Sequence, residues 1–537
     1  MDRVSASGAE ERSSSLRGGA FRAMNNPLPR KPNLFHSISK TIHDLFIGER
    51  DSSYIYWILG AITLVGMAMR LWKINEPIAY DEAYTFIYFG TKPFRQILSD
   101  YSAPNNHILH TILVSLSYRL FGGHTWIVRL PAFVAGTLCI PAAYFAARRI
   151  FNSAQSLVAA TLVAWTPWFI IYSTNGRGYT LLTLFALLLA NFAGILVRQQ
   201  SRAALIVYGI TAALGFYTIP IFLYPMAGVS LWVLATYLTA NESWNNKGKK
   251  IWTFLAVCAL AGMLTLLLYS PVIFFGTGAR SIFNNDIVEP RDWTFVENIA
   301  PRADKTWTSW MQFIAPPIRY LLLGGFLVSL FFYRKASRQR HPLQIFLILS
   351  IIILLIIQRV APLPRVWFYL EAFYMSFAGA GFAWFIEILI NQIGIIKSKE
   401  KFTVVISLLT MLCVFILNSI STYQDTVTVK LNDAPEKYAA EYLVSHLKAE
   451  DTILSMSPVD IETAYYLYIN GIPYSVFYQR DHPIRIQNAL IVLRTNSKYN
   501  TPESVLDFYK LTSSFDLQTV KLVYEYGPLN IFSVPAK

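Results

Sequence analysis

Apolar runs of about 17 to 25 residues, the length that crosses ~30 Å of hydrocarbon as helix, recur along this chain from Tyr54 to Ser421. In lipid, a spanning segment must satisfy its own backbone polar groups, so such runs commit the chain to a mainly α, polytopic membrane fold. The candidate spans are 54–72, 126–147, 155–173, 179–197, 203–219, 222–239, 251–275, 319–333, 343–358, 366–390 and 402–421. Composition agrees: 54% of the 537 residues are hydrophobic and 15% charged, which excludes an ordinary soluble enzyme. Cys139, Cys258 and Cys413 each fall inside such a run and read as small core residues, with neither a disulfide framework nor metal spacing.

The run 107–121 is short and contains His107, His110 and Arg119, so periodicity does not decide whether it crosses. The distribution of positive charge does. If 107–121 lies in the interface, the loops holding Arg148/Arg149, Arg198/Arg202, Lys247/Lys249/Lys250, Arg334/Lys335/Arg338/Arg340 and Lys397/Lys399/Lys401 all face the cytoplasm. If it crosses, all of them face outside, against the rule. The expectation is therefore eleven spans, with the N-terminus cytoplasmic and the C-terminus extracytoplasmic in the cell membrane. The same loops account for the net charge of +14, and no nucleic-acid module is present to claim it.

Residues 1–34 are polar, rich in Ser and Arg and without the apolar core of a signal peptide; they read as a cytoplasmic basic tail. Phe35, Ile38, Ile42 and Phe46 stand at helical spacing and predict an interfacial helix over 35–46. The domain plan is thus 1–53 tail and interfacial helix, 54–421 transmembrane catalytic domain, and 422–537 an extracytoplasmic domain. In the last, helical and strand patterns alternate as in half of a doubly wound α/β sheet, without a Gly-rich phosphate fingerprint.

This topology gathers four unusual segments on the outer side. The first holds "YDEAYTF", in which Asp81 and Glu82 lie just past the first span. An Asp in a loop often caps a helix, here the one beginning at "EAYTFIYF". Tyr80, Tyr84 and Phe86 would partly desolvate the pair, however, and a carboxylate so placed is suited to taking a proton from a hydroxyl. "SDYSAPNNHILH" follows, offering Asn105, Asn106 and His107; His107 and His110 share a helical face, but two histidines leave a divalent metal open without making a site. In "STNGRGY", Arg177 stands between two glycines, which allow close backbone approach, and guanidinium suits a phosphate as well as it suits snorkelling to headgroups. Arg359 and Arg365 in "QRVAPLPRVW" add positive charge at the same boundary. The loop 276–318 is rich in Trp, Asn and charge, which fits a sugar or a membrane interface.

The order of an apolar span, "YDEAY", a loop with "NNH", an amphipathic run ending "RLFG", then "WIVRLPAFVAG", "ARRIFN" and "YSTNGRGYTLL" resembles the integral-membrane glycosyltransferases of the C superfold. Protein O-mannosyltransferases and bacterial aminoarabinose transferases are the nearest relatives that this resemblance, over residues 54 to 200, brings in. It implies transfer of a sugar from a polyprenyl-phosphate carrier to an acceptor protein, lipid or glycan outside the cytoplasm, with inversion at the anomeric carbon. In that family the acid of the first outer loop is catalytic, which carries over to Asp81 with its neighbour Glu82. Arg177, Tyr179, Tyr84, Asn106, His107, Arg359 and Arg365 are the candidate substrate-binding residues, with no cofactor assigned. Where relatives often carry a His-Pro-Pro stretch and an acid before the arginine turn, this chain has "NNHILH" and Asn175. The alternative function is a transporter or flippase of a lipid-linked saccharide. That class places its polar site near mid-membrane and shows repeated halves, whereas here no repeat is found and the polar clusters lie at one face.

Overall fold

A computed structural model describes residues 41, 43–45, 51–283, 292–393, 399–421, 434–480 and 484–537. Two compact units are present, 1–50 and 51–537. In the first, the described residues Thr41 and His43–Leu45 are helical; the tail and most of the interfacial helix expected there lie outside the described residues.

The second unit opens with α1 (Ser53–Lys73), the short α2 (Tyr80–Thr85) that runs into a π turn over Phe86–Gly90, α3 (Ile108–Phe121) and α4 (Thr125–Arg148). Then come α5 (Ser153–Trp165), α6 (Pro167–Ser173), α7 (Tyr179–Leu196), α8 (Arg202–Thr218), α9 (Leu223–Thr239) and α10 (Trp244–Leu268). The helical part closes with α11 (Phe295–Met311), α12 (Pro316–Phe331), α13 (Leu343–Gln358), α14 (Phe368–Ile393) and α15 (Lys399–Ser421).

Among the described residues six helices are long and apolar enough to cross a membrane, and eight such spans result if each of two bent helix pairs is one. This is fewer than the eleven expected. The runs 203–219 and 343–358 form helices of 17 and 16 residues. At 1.5 Å per residue each rises about 25 Å, short of the hydrocarbon thickness. The run 319–333 is the second half of a pair bent by 110°. The run 155–173 is likewise broken: α5 and α6 meet at 59° because Pro167 lacks an amide and holds Thr166 extended.

That break leaves carbonyls at the end of α5 without intrahelical partners. Arg70 of α1, wholly buried, supplies them: it donates to the carbonyls of Ala164 (2.9 Å) and Val163 (3.2 Å), to Gly66 (2.8 Å) and to the Ser173 hydroxyl (2.9 Å). One cation thus ties α1 to both halves of the bent pair, and the last turn of α6 feeds directly into the Arg177 turn.

The C-terminal part holds β1 (Asp451–Ser455), β2 (Asn488–Arg494), β3 (Lys521–Tyr526) and β4 (Leu529–Pro535), with α16 (Pro435–His446), α17 (Asp460–Ile469) and α18 (Pro502–Phe508). The helices fall where the sequence pattern puts them. The sheet does not follow the doubly wound expectation: its order is β1-β2-β4-β3, β1 and β2 are parallel, and the other pairs are antiparallel. The stretch 520–534 folds back at Gly527, whose φ of +56° suits a residue without Cβ. A parallel crossover is replaced by a hairpin.

The sheet's helices pack onto the membrane part through one continuous core, in which Ile78, Phe86, Val114 and Val128 meet Leu443, Ile461, Tyr465 and Leu490. Phe86, fully buried, stands edge-on to Tyr118, Tyr465 and Tyr468 at 5.1, 5.4 and 5.9 Å. Burying such a ring contributes roughly 1.5–3 kcal/mol, and it fixes the helix just before it, α2.

Candidate active site

α2 begins after Ala79, and its cap is not Asp81 but Glu82: one carboxylate oxygen of Glu82 accepts the Ala79 amide at 2.8 Å. The other accepts the Gly176 amide at 2.6 Å and Arg129 Nε at 3.0 Å, and Arg129 Nη2 makes a further short contact. Arg129 in turn donates to the carbonyls of Ile74, Glu76 and Pro77. Glu82 is wholly buried, with both oxygens engaged. Such a carboxylate has no lone pair turned toward a substrate, which corrects the expectation that it acts beside Asp81 in the chemistry. It fastens α2 to the Arg177 turn instead. Gly176 permits this approach: a Cβ there would stand 3.2 Å from Glu82 Oε2 and 3.1 Å from Val128.

Asp81, one residue earlier, faces the opposite way. Its side chain is 39% exposed and its Oδ2 accepts from Arg365 Nη1 at 2.9 Å. Arg177 Nη1 lies 3.9 Å from the same oxygen and donates to the Asp81 carbonyl (3.1 Å) and Thr85 Oγ1 (3.4 Å). Arg177 is buried, whereas Arg365 is 36% exposed on the turn Pro364–Trp367 that leads into α14. Three residues far apart in sequence therefore converge as one open carboxylate under two guanidinium groups.

His107 precedes α3, and its Nδ1 accepts the Gly178 amide at 2.9 Å, holding the other side of the arginine turn. Burial, with the positive charge of Arg177 and Arg365 around it, keeps its proton affinity well below that of a free imidazole. It is a neutral acceptor. Tyr179 packs edge-on to this ring at 5.0 Å and beneath Arg177, whose guanidinium carbon lies 5.8 Å from the Tyr179 centroid. Asn106 turns away from the arginines and donates to the carbonyls of Ile97 and Asp100, setting the preceding loop. Tyr84 lies on α2, half-buried, its ring 4.5 Å from Tyr88.

Arg359 does not join the group. It ends α13 in the left-handed region, with φ +53°, and lies exposed over the ring of Trp293 at 4.8 Å. Trp307 and Trp310 pack on Tyr374 of α14 at 5.9 and 6.0 Å, so these two tryptophans of the stretch 276–318 face protein. Among the described residues no group of three or more His, Cys, Asp or Glu side chains is placed to hold a metal. Sequence reasoning passed over Arg129 and Arg70. The signal was present: a cation inside an apolar run requires a buried partner, and each has one.

The profile of the dolichyl-phosphate-mannose-protein mannosyltransferase family matches residues 105–275. A search of curated protein sequences finds no match. Among solved structures the chain is similar to ArnT from Cupriavidus metallidurans in the apo state, at 12% identity and a TM-score of 0.59, covering 90% of this chain and 98% of that one. The same protein bound to undecaprenyl phosphate gives 13% identity and a TM-score of 0.54, with the same coverage. At such identities the likeness is one of fold alone: the chain has the fold of the ArnT structures.

Proposed function

We propose that this chain, on the fold it shares with ArnT, moves a sugar from a polyprenyl-phosphate carrier to an acceptor at the extracytoplasmic surface of the cell membrane. The observation that carries the reading is the open Asp81 carboxylate beneath Arg177 and Arg365. The fold likeness to a protein solved with undecaprenyl phosphate and the partial match to a dolichyl-phosphate-mannose family support it.

The chemistry follows from charge. Without substrate, Arg365 pairs with Asp81 and Arg177 lies 3.9 Å from the same oxygen. A carrier phosphate competes for the same guanidinium groups, with charge-assisted and bidentate bonds available to it, and so frees the carboxylate as the donor arrives. Asp81 then takes the proton of the acceptor hydroxyl as that oxygen attacks the anomeric carbon. The bond from that carbon to the phosphate oxygen breaks with inversion, and the departing polyprenyl phosphate carries one more negative charge, which Arg177 and Arg365 offset. Glu82, with Arg129, and His107 act as positioning residues: they hold the two ends of the arginine turn against α2 and α3.

Sidedness and domain limits belong to this reading. Eleven crossings, with the basic loops and N-terminus cytoplasmic, put α2 and the layer after residue 422 on the outer face. Helices shorter than the bilayer cross where neighbours and local thinning accommodate them. Purified protein incubated with radiolabelled polyprenyl-phosphate sugar tests the function. Label leaving the lipid is the expected result; labelled lipid crossing a vesicle bilayer intact would make the chain a flippase.

A further inference from the structure

α2 has a second face. Tyr80, Tyr84 and, across the π turn, Tyr88 follow one another at four-residue spacing, and their rings stand 6.5 and 4.5 Å apart in succession. The other face carries Asp81 and Thr85 toward the arginines. The tyrosines turn to the C-terminal layer: the hydroxyls of Tyr88 and Tyr474 are 2.8 Å apart. Asp460 heads α17 at this junction; burial above all, with the charge of Asp460 as a lesser cause, pushes up the proton affinity of Tyr80, Tyr84, Tyr88, Tyr474 and Tyr509. Burial raises the Asp460 carboxyl itself to about 6.

This junction is left incomplete. Asp460 Oδ1 is buried without a hydrogen-bond partner, and so is the hydroxyl of Thr463, one turn along α17 and wholly buried. The Tyr84 ring is half-buried and packs against the core that joins the two layers. A contact that served only to fasten two layers would pair such a carboxylate with a cation, as Glu436 of α16 is paired with Arg494. An orphaned buried oxygen is costly, and a ligand that donates hydrogen bonds removes the cost.

We propose that the junction of α2 with α17 is the acceptor subsite, in which Asp460 and Tyr84 bind an uncharged, hydroxyl-rich carbohydrate group. This rests on the transferase reading. The chemistry is specific: aromatic walls accept the apolar faces of a sugar ring, Asp460 accepts from its hydroxyls, and no cation stands among the residues named to welcome a phosphate. The site is thereby sorted across one short helix, cationic toward the lipid phosphate and tyrosine-lined with a carboxylate toward the acceptor.

The test uses the full chain in lipid nanodiscs, labelled polyprenyl-phosphate sugar, and two probe acceptors, a neutral alkyl glycoside and its 6-phosphate. Expected are transfer to the neutral glycoside and at least ~10-fold lower kcat/KM for the phosphate ester, in line with losing bonds to a charged acceptor. Asp460→Asn raises the KM of the neutral glycoside by about 10-fold with the donor KM unchanged, and Tyr84→Phe raises the glycoside KM by about 3-fold. Equal KM values in Asp460→Asn and the parent, or a parallel rise in donor KM, would overturn the subsite. Release of sugar to water with neither glycoside serving as acceptor also overturns it and leaves the transferase reading standing. No loss of sugar from the donor under any condition overturns both. Tyr84→Phe removes one hydroxyl alone, so it reports even where Asp460→Asn disturbs packing.

Discussion

Asp81 and Glu82 are adjacent in sequence and opposite in surroundings. Glu82 is sealed against Arg129 and two backbone amides, whereas Asp81 is open and meets Arg365 at the surface. Each is an acid paired with an arginine, yet only one pair has solvent to exchange with. A closed ion pair sets geometry, and an open one is available for chemistry. The difference arises because a helix turns each successive residue by about 100°, so one position on α2 points into the core and the next toward the cleft.

The comparison breaks first at Asp81. Asp81→Asn is expected to lower turnover by about a thousandfold, the scale of a lost general base, with the melting temperature of the detergent-solubilised protein unchanged. Near-parental turnover would remove Asp81 from the chemistry. Glu82→Gln should act the other way round, on stability: it leaves Arg129 buried without a counter-charge, at a cost of roughly 3–5 kcal/mol. The double variant Glu82→Gln with Arg129→Met should recover part of that loss in denaturant unfolding, which a pair joined only by chance would not do.

Arg177→Ala sharpens the same contrast on the cationic side, raising donor KM by about 10-fold or more while acceptor KM moves little, since a guanidinium-to-phosphate bond is lost. Equal effects on both substrates would favour a general loss of structure. His107 gives a smaller, pH-dependent effect. Its affinity for a proton is depressed in the folded state, so the unfolded chain binds more protons below the ordinary value of 6.5. Its contribution to stability is complete above that pH and is lost as the pH falls toward the depressed folded value; His107→Gln should flatten the acid limb of a melting-temperature profile. Arg359→Ala is the smallest. Its stacking on Trp293 is worth about 0.5–1 kcal/mol at an exposed site, and donor KM should change by less than about twofold.

Much of this site was legible along the chain. The acid pair, the glycine-flanked arginine and His107 stand out because polar residues at the end of an apolar run need a reason. What could not be read was which partner each would find. Arg365 and Asp81 are 284 positions apart, and Arg359, six residues from Arg365 and equally basic, ends on Trp293. Asp460 looks like any acid opening a helix until α17 is laid against α2.

The amino-acid order alone determined that this chain enters a membrane as helices, where its basic loops cluster, and that α2 carries acids and tyrosines, since hydropathy and helical period are local properties. Tertiary structure decided which runs reach spanning length, where Pro167 bends a span around Arg70, that the last segment is a hairpin, and which of two neighbouring carboxylates stays open. Those outcomes depend on long-range contacts that satisfy buried polar groups, and no single segment contains both halves of such a contact.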